Sequence, residues 1–192
     1  MFDISMYVKD CAPNVAVSTM QAIIKTESKG NPLAININKG FKIRFQPKTL
    51  AQAKSWVSYL EKNGYNFDVG IAQINIKNLH KYGYGAVNGL DICTNLKIAS
   101  SILQNNYNSA LIVSNSSNEA LQKAISAYNT GNYHSGFSNG YVRQVYRNAF
   151  NNKGLPPIIN ANYIQDHNVS KKINKTILFV REGSTSSVQS ME

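Results

Sequence analysis

The sequence predicts a mainly α (α+β) protein with one small β-hairpin. Apolar residues recur at helical spacing between Pro13 and about Phe150, and several of these stripes begin at a capping residue and stop at Gly. One stretch, Ile35 to Phe45, alternates apolar and polar around Lys39-Gly40, as a short hairpin does. At 192 residues the chain can bury one core of ordinary size and carry an extension.

The first predicted helix starts near Pro13-Asn14. It carries Ala16, Met20 and Ile23 on one face and stops at Lys29-Gly30-Asn31-Pro32. Thr49 and Gln52 have capping-box spacing, and Leu50, Ala53, Val57 and Leu60 form the inward stripe of a helix that Asn63-Gly64 ends. A loop through Asp68 to Asn75 leads into a short helix reaching Leu79. Asp91 starts a further helix whose face holds Ile92, Leu96, Ala99 and Leu103. Ser116 and Glu119 again have capping-box spacing, ahead of Leu121, Ala124, Ile125 and Tyr128 and a stop at Thr130-Gly131. The last helix runs from Tyr141 to Phe150. Gly154-Leu155-Pro156-Pro157 then breaks the pattern. The expected domains are therefore 1–154, the folded unit, and 155–192, a flexible polar extension whose one apolar patch is Ile177 to Val180.

Composition narrows the function classes. The formal charge of +10 favours an anionic partner such as nucleic acid, lipid headgroups or a cell-wall polymer. The charges are scattered, and no basic repeat, zinc-finger spacing or aromatic RNA-binding pattern accompanies them, so nucleic acid is not expected. No apolar run approaches a transmembrane span, and the first ten residues lack the apolar centre of a secretory signal. His80, His134 and His167 stand without paired spacing, so neither a metal nor another cofactor is expected. Cys11 and Cys93 are compatible with two free thiols or with one disulfide, and the bridged form implies an oxidising compartment.

Glu27 is the residue that suggests chemistry. Counting back through Ile23, Met20 and Ala16 places it on the core-facing row at the helix end, where burial and the negative end of the helix dipole both disfavour its charge. Such a carboxyl has a raised pKa and can donate a proton near neutrality. The same segment also fits a solvated Glu at a frayed terminus.

Three separated segments, Glu27-Ser28, Gly70-Ile71-Ala72-Gln73-Ile74-Asn75 and Ala127-Tyr128-Asn129-Thr130-Gly131, together resemble the lytic transglycosylases of glycoside hydrolase family 23. Cys11-Ala12-Pro13, Asn66 to Gly70, Asp91-Ile92-Cys93 and Tyr141-Val142 bring the resemblance closer to the transglycosylases of type IV secretion and conjugation systems. It covers roughly residues 11 to 150. One departure is Ile71-Ala72, where many relatives carry Leu-Met; both pairs are apolar.

The resemblance implies a lysozyme-like fold and cleavage of peptidoglycan between N-acetylmuramic acid and N-acetylglucosamine, with a 1,6-anhydro end as product. It implies Glu27 as the catalytic residue, used first as acid and then as base. Ser28, Gln73, Asn75, Tyr128, Asn129, Gly131 and Tyr141 would support or bind substrate. Ser28 and Tyr128 would orient Glu27 or the sugar, Gln73 and Asn75 would bind N-acetyl or hydroxyl groups, and Asn129 and Gly131 would shape the turn holding Tyr128. Among the ten acids, Asp68 alone adjoins a site motif as a second carboxylate. Cys11 and Cys93 are expected to pair, in a periplasmic protein whose signal segment is not visible. Secretion-channel subunits are possible partners. Two alternatives remain open: a lysozyme-type hydrolase, and a peptidoglycan-binding assembly component.

Overall fold

The computed structural model describes residues 4–39 and 42–149. The expected extension 155–192, with its Ile177 to Val180 patch, and Phe150 of the last helix lie outside the described residues. The elements run α1 (Ile4–Cys11), α2 (Val17–Glu27), β1 (Ile35–Ile37), α3 (Leu50–Lys62), β2 (Phe67–Val69), β3 (Ile74–Asn75), α4 (Ile76–Lys81), a 3-10 helix (Ala86–Leu90), α5 (Ile92–Leu111), α6 (Ser117–Thr130), α7 (Ser135–Ser138) and α8 (Tyr141–Ala149). This is a mainly α, lysozyme-like arrangement. A three-stranded antiparallel sheet of order β1-β2-β3 lies beside the helices.

The caps act largely as their side chains dictate. Thr49 Oγ1 accepts the Gln52 N–H, Asp91 the Thr94 N–H and Ser116 Oγ the Glu119 N–H, each satisfying an amide that the first helical turn leaves unpaired. The reciprocal half of each box is displaced by one residue. Gln52 reaches the Lys48 N–H and Glu119 the Asn115 N–H, rather than the cap itself. Gly131 closes α6 in the left-handed conformation, at φ +74°.

The core lies between α2, α5, α6 and α8, with Met20, Ile23, Leu96, Leu103 and Ile125 all shut away from solvent. At 20 residues, α5 extends about 30 Å and forms the central post against which α1 and α6 pack. Ala53, Val57 and Leu60 turn the apolar side of α3 inward.

Four sequence expectations need correction. A helix, α1, precedes Pro13, its two buried residues Val8 and Cys11 being too few to show a periodic stripe. The second helix begins at Val17, because Pro13, Asn14 and Val15 form a turn and Ala16 is its cap. Leu50 does not face the core; at the first position of α3 its side chain lies 48% exposed. The hairpin does not form between Ile35 and Phe45. β1 pairs instead with β2, in the register Ile35 to Val69 and Ile37 to Phe67, while Lys42 to Phe45 form no strand. The antiparallel hairpin is β2-β3, closed by Gly70 to Gln73, where a loop through Asp68 to Asn75 is expected from sequence. Its apolar partner for β1 is distant in sequence, so no local alternation reveals the pairing.

Cys11 and Cys93 form a disulfide that joins the end of α1 to the start of α5 across 82 residues. In the chain-entropy picture, closing so long a loop stabilises the fold by roughly 4 to 5 kcal/mol. Urea denaturation of a Cys11→Ser/Cys93→Ser variant should give a stability lower by about 3 to 5 kcal/mol, with the residues around Glu27 unaltered in the folded fraction. An unchanged midpoint would show that the bridge contributes nothing.

Candidate active site

Glu27 is the last residue of α2, and its placement follows from the helix. Met20, Ile23 and Ile24 fix the inward face of α2, and Glu27 continues it one turn beyond Ile23 into a cavity of about 490 Å³. Asn38, Asp68, Gln73, Asn75, Tyr128, Asn129 and Gly131 line that cavity with it. The sheet supplies one wall and the C-terminal half of α6 another.

Burial is the dominant influence on the Glu27 carboxyl and raises its pKa to about 7. The Tyr141 hydroxyl donates a 2.5 Å hydrogen bond to Oε1, which favours the charged form and lowers the value. The negative charge of Asp68 raises it again. Burial wins. The hydroxyls of Tyr128 and Tyr141 are pushed well above the ordinary range for tyrosine, by burial first and by the Glu27 charge second, so both remain donors.

The loop Gly70–Gln73 forms the floor and is tied on four sides. Ser28 Oγ, at the end of α2, donates to the Ile71 carbonyl at 2.6 Å, and the Tyr128 hydroxyl from α6 donates to the Ala72 carbonyl at 2.9 Å. Asn95, fully buried on α5, accepts the Ala72 N–H and donates to the Val69 and Gly89 carbonyls. Gln73, in the left-handed region at φ +51°, folds its amide back to the Ala34 and Gly70 carbonyls. Gly70 has no substitute: at φ +84°, a Cβ would stand 2.2 Å from both the Asn95 amide nitrogen and the Gly89 carbonyl oxygen.

Asp68 faces Asn75 across β2-β3. Its oxygens accept from Asn75 Nδ2 at 2.7 Å and from Asn38 Nδ2 at 2.8 Å, which fixes the carboxylate on the cavity wall. Asn75 also caps α4, its Oδ1 accepting the Lys77 N–H. Asn129 reaches Asn139, whose Nδ2 donates to it, and Asn139 Oδ1 in turn accepts the Tyr141 N–H. The turn after α6 thereby fixes the residue that bonds Glu27.

All the residues singled out from sequence are brought together here, but their partners differ from expectation. Ser28 and Tyr128 bond the loop carbonyls rather than Glu27, and Tyr141 is the direct partner of the carboxyl. The amide N–H groups of Gln73 and Asn75 are given to the protein itself. Sequence reasoning missed Asn95 and Asn38. Asn95 did carry a signal, a polar side chain four residues before Ala99 on an inward stripe. Among the described residues no three His, Cys, Asp or Glu converge to hold a metal, and no helix is long and apolar enough to cross a membrane.

Residues 6–151, which contain every one of these side chains, match the transglycosylase SLT domain. The chain belongs to the transglycosylase SLT domain family. Relatives of this SLT-domain chain include the type IV secretion system protein virB1 of Brucella suis biovar 1, 41% identical over 147 residues, which are 73% of this chain and 61% of that protein. The protein virB1 of Rhizobium radiobacter is 41% identical over 138 residues, 71% of this chain and 56% of the relative. That of Agrobacterium fabrum is 38% identical over 140 residues, 72% and 56% respectively. The chain thus spans about six tenths or less of these relatives' length. No solved structure matches it at the stringency at which they do.

The raised carboxyl links site and stability. Between pH 4.5, the ordinary value, and about 7, the folded state holds a proton on Glu27 that the unfolded chain has released, so stability falls as pH rises through this window. Glu27→Gln removes that dependence. Thermal unfolding should show the Gln variant more stable than the parent above pH 7, by about 1 to 3 kcal/mol, with the difference vanishing below pH 4.5. A difference that does not vary with pH would contradict a buried, charge-disfavouring environment.

Proposed function

We propose that this chain is a peptidoglycan lytic transglycosylase that cleaves the β-1,4 bond between N-acetylmuramic acid and N-acetylglucosamine. The observation that carries the reading is Glu27, protonated near neutrality, bonded by Tyr141 and set in a groove of the SLT-domain family. Opening a glycosidic bond requires a proton on the leaving oxygen and stabilisation of a cation-like sugar. Glu27 supplies the proton, and the departing sugar carries it away as its hydroxyl. The ionised Glu27 then takes the proton of the muramic 6-hydroxyl as that oxygen bonds to the anomeric carbon. No water is consumed, and Glu27 ends protonated, as it began. Negative charge from Glu27 and Asp68 faces the cation-like sugar, while Tyr141 holds the carboxyl in line through both steps.

The relatives' type IV secretion name supports a place for this activity in the periplasm, opening the wall locally for a secretion or conjugation apparatus. The expected extension 155–192 carries none of the site residues named from sequence, and on this reading cleavage does not require it. Its Ile177 to Val180 patch suits contact with channel subunits.

Digestion of purified peptidoglycan tests the reaction. Mass spectrometry should find muropeptides ending in 1,6-anhydromuramic acid, lighter by one water than hydrolysed ends. Glu27→Gln should reduce turnover by about 10³-fold or more. Reducing ends as the main product would assign a lysozyme-type hydrolase instead. Activity of the parent should fall as pH rises past about 7, where Glu27 loses its proton. Truncation after Gly154 should leave digestion intact; loss of cleavage would place the extension within the working enzyme.

A further inference from the structure

A second cleft, of about 770 Å³, opens between the segment Lys42–Lys48 and the exposed flank of α3. Lys42, Arg44 and Lys48 line it, all exposed, and no carboxylate lines it with them. Among the described residues none of the three is paired with an acid. Phe45, 73% exposed, carries the Arg44 guanidinium over its ring at 5.3 Å, and Trp56 lines the cleft from α3. Three cations with no acid paired to them among the described residues surround two aromatic faces, a setting suited to a short acidic, partly apolar chain.

The segment is fixed to the catalytic groove. Gln46 Oε1 accepts the Ile35 N–H at 2.9 Å and its Nε2 donates to the Ile35 carbonyl at 2.8 Å, so one side chain occupies the free edge of β1. Asn38, just past β1, lines the groove of Glu27, and Lys42 lines the second cleft four residues on. Four residues span at most about 14 Å. Muramic acid bears, on its lactyl group, a peptide of several residues with free carboxylates. An extended five-residue peptide reaches about 17 Å, enough to run from a sugar in the groove to the basic cleft.

We infer that the Lys42–Trp56 cleft binds the acidic peptide stem of the peptidoglycan strand seated in the groove. The inference rests on the transglycosylase reading above. It makes the enzyme selective for peptide-bearing strands over peptide-stripped ones.

The test compares both substrates, intact and amidase-stripped strands, using the full chain and a Lys42→Ala/Arg44→Ala/Lys48→Ala variant. With the parent, KM should be lower on peptide-bearing strands. The triple variant should raise KM on these about 10-fold with kcat unchanged, and leave KM on stripped strands where it was. Phe45→Ala, at an exposed position that leaves the fold undisturbed, should shift the same KM in the same direction. Equal KM on both substrates, or a loss shared equally by both, would overturn the inference. Binding of the free acidic stem peptide to the Glu27→Gln protein keeps the two readings separable. If neither substrate is cleaved, the proposed reaction fails, while peptide binding abolished in the triple variant still supports the cleft. Anionic vesicles or DNA binding in place of the peptide, with the same three residues required, would assign the patch to another partner and defeat the proposal.

Discussion

The four-residue loop Gly70–Gln73 is the constraint on which the groove depends. Its backbone groups are claimed by side chains from three helices: Ser28 at the end of α2, Asn95 within α5 and Tyr128 on α6. Of these helices, α5 and α6 pack directly on each other, whereas α2 packs chiefly on α8 and α1, so the directional hydrogen bonds to the loop are what tie α2 to the other two. The loop therefore registers α2 against α5 and α6, and sets where Glu27 stands relative to the sheet. Gly70 permits this because Asn95 and the Gly89 carbonyl occupy the space a side chain would need. The buried Asn95 is acceptable because both its donors and its acceptor are satisfied.

Within this frame, Glu27 is held between opposing influences. Burial and Asp68 favour the neutral carboxyl, and Tyr141 favours the ionised one. An acid that must give a proton and then receive one benefits from lying near the balance point, and about 7 is close to it. The cost falls on stability, since the charged form is disfavoured in the folded state. Tyr141 moderates that cost while fixing geometry, and it is itself fixed through Asn139 and Asn129. The polar residues of the groove thus form two systems, one holding the loop and one holding the carboxyl. Asp68, Asn38 and Asn75 complete the facing wall.

The longer helices α3, α5 and α6 were legible because each carries its own information, a capping side chain and an apolar period. Asp91 with Thr94, and Thr130-Gly131 after Tyr128, are local signals with local consequences. Glu27 was legible for a related reason, as a carboxylate continuing an apolar row. Asn95 obeys the same logic on α5, four residues before Ala99, and the rule that identified Glu27 identifies it too when applied to amides. The sheet was not legible. Strands of two and three residues are too short to display a period, and β1 finds its partner some thirty residues away. Leu50 failed at a helix start, where the stripe is incomplete, and α1 because its two buried residues are too few to show a period. Partner choice also lay beyond sequence, because whether Tyr128 or Tyr141 bonds Glu27 depends on how α8 lies along α2. That orientation is reinforced by a bond from Asn148 to Thr26, which no spacing rule anticipates.

Everything proposed for the groove requires Glu27 to hold its proton close to neutrality in the folded protein. Carbon-detected NMR titration of the Glu27 side-chain carboxyl, in protein labelled at glutamate, measures this directly. The account gives a midpoint near 7, falling when Asp68 is replaced by Asn and rising when Tyr141 is replaced by Phe. A midpoint at the ordinary 4.5, unmoved by either substitution, would contradict it.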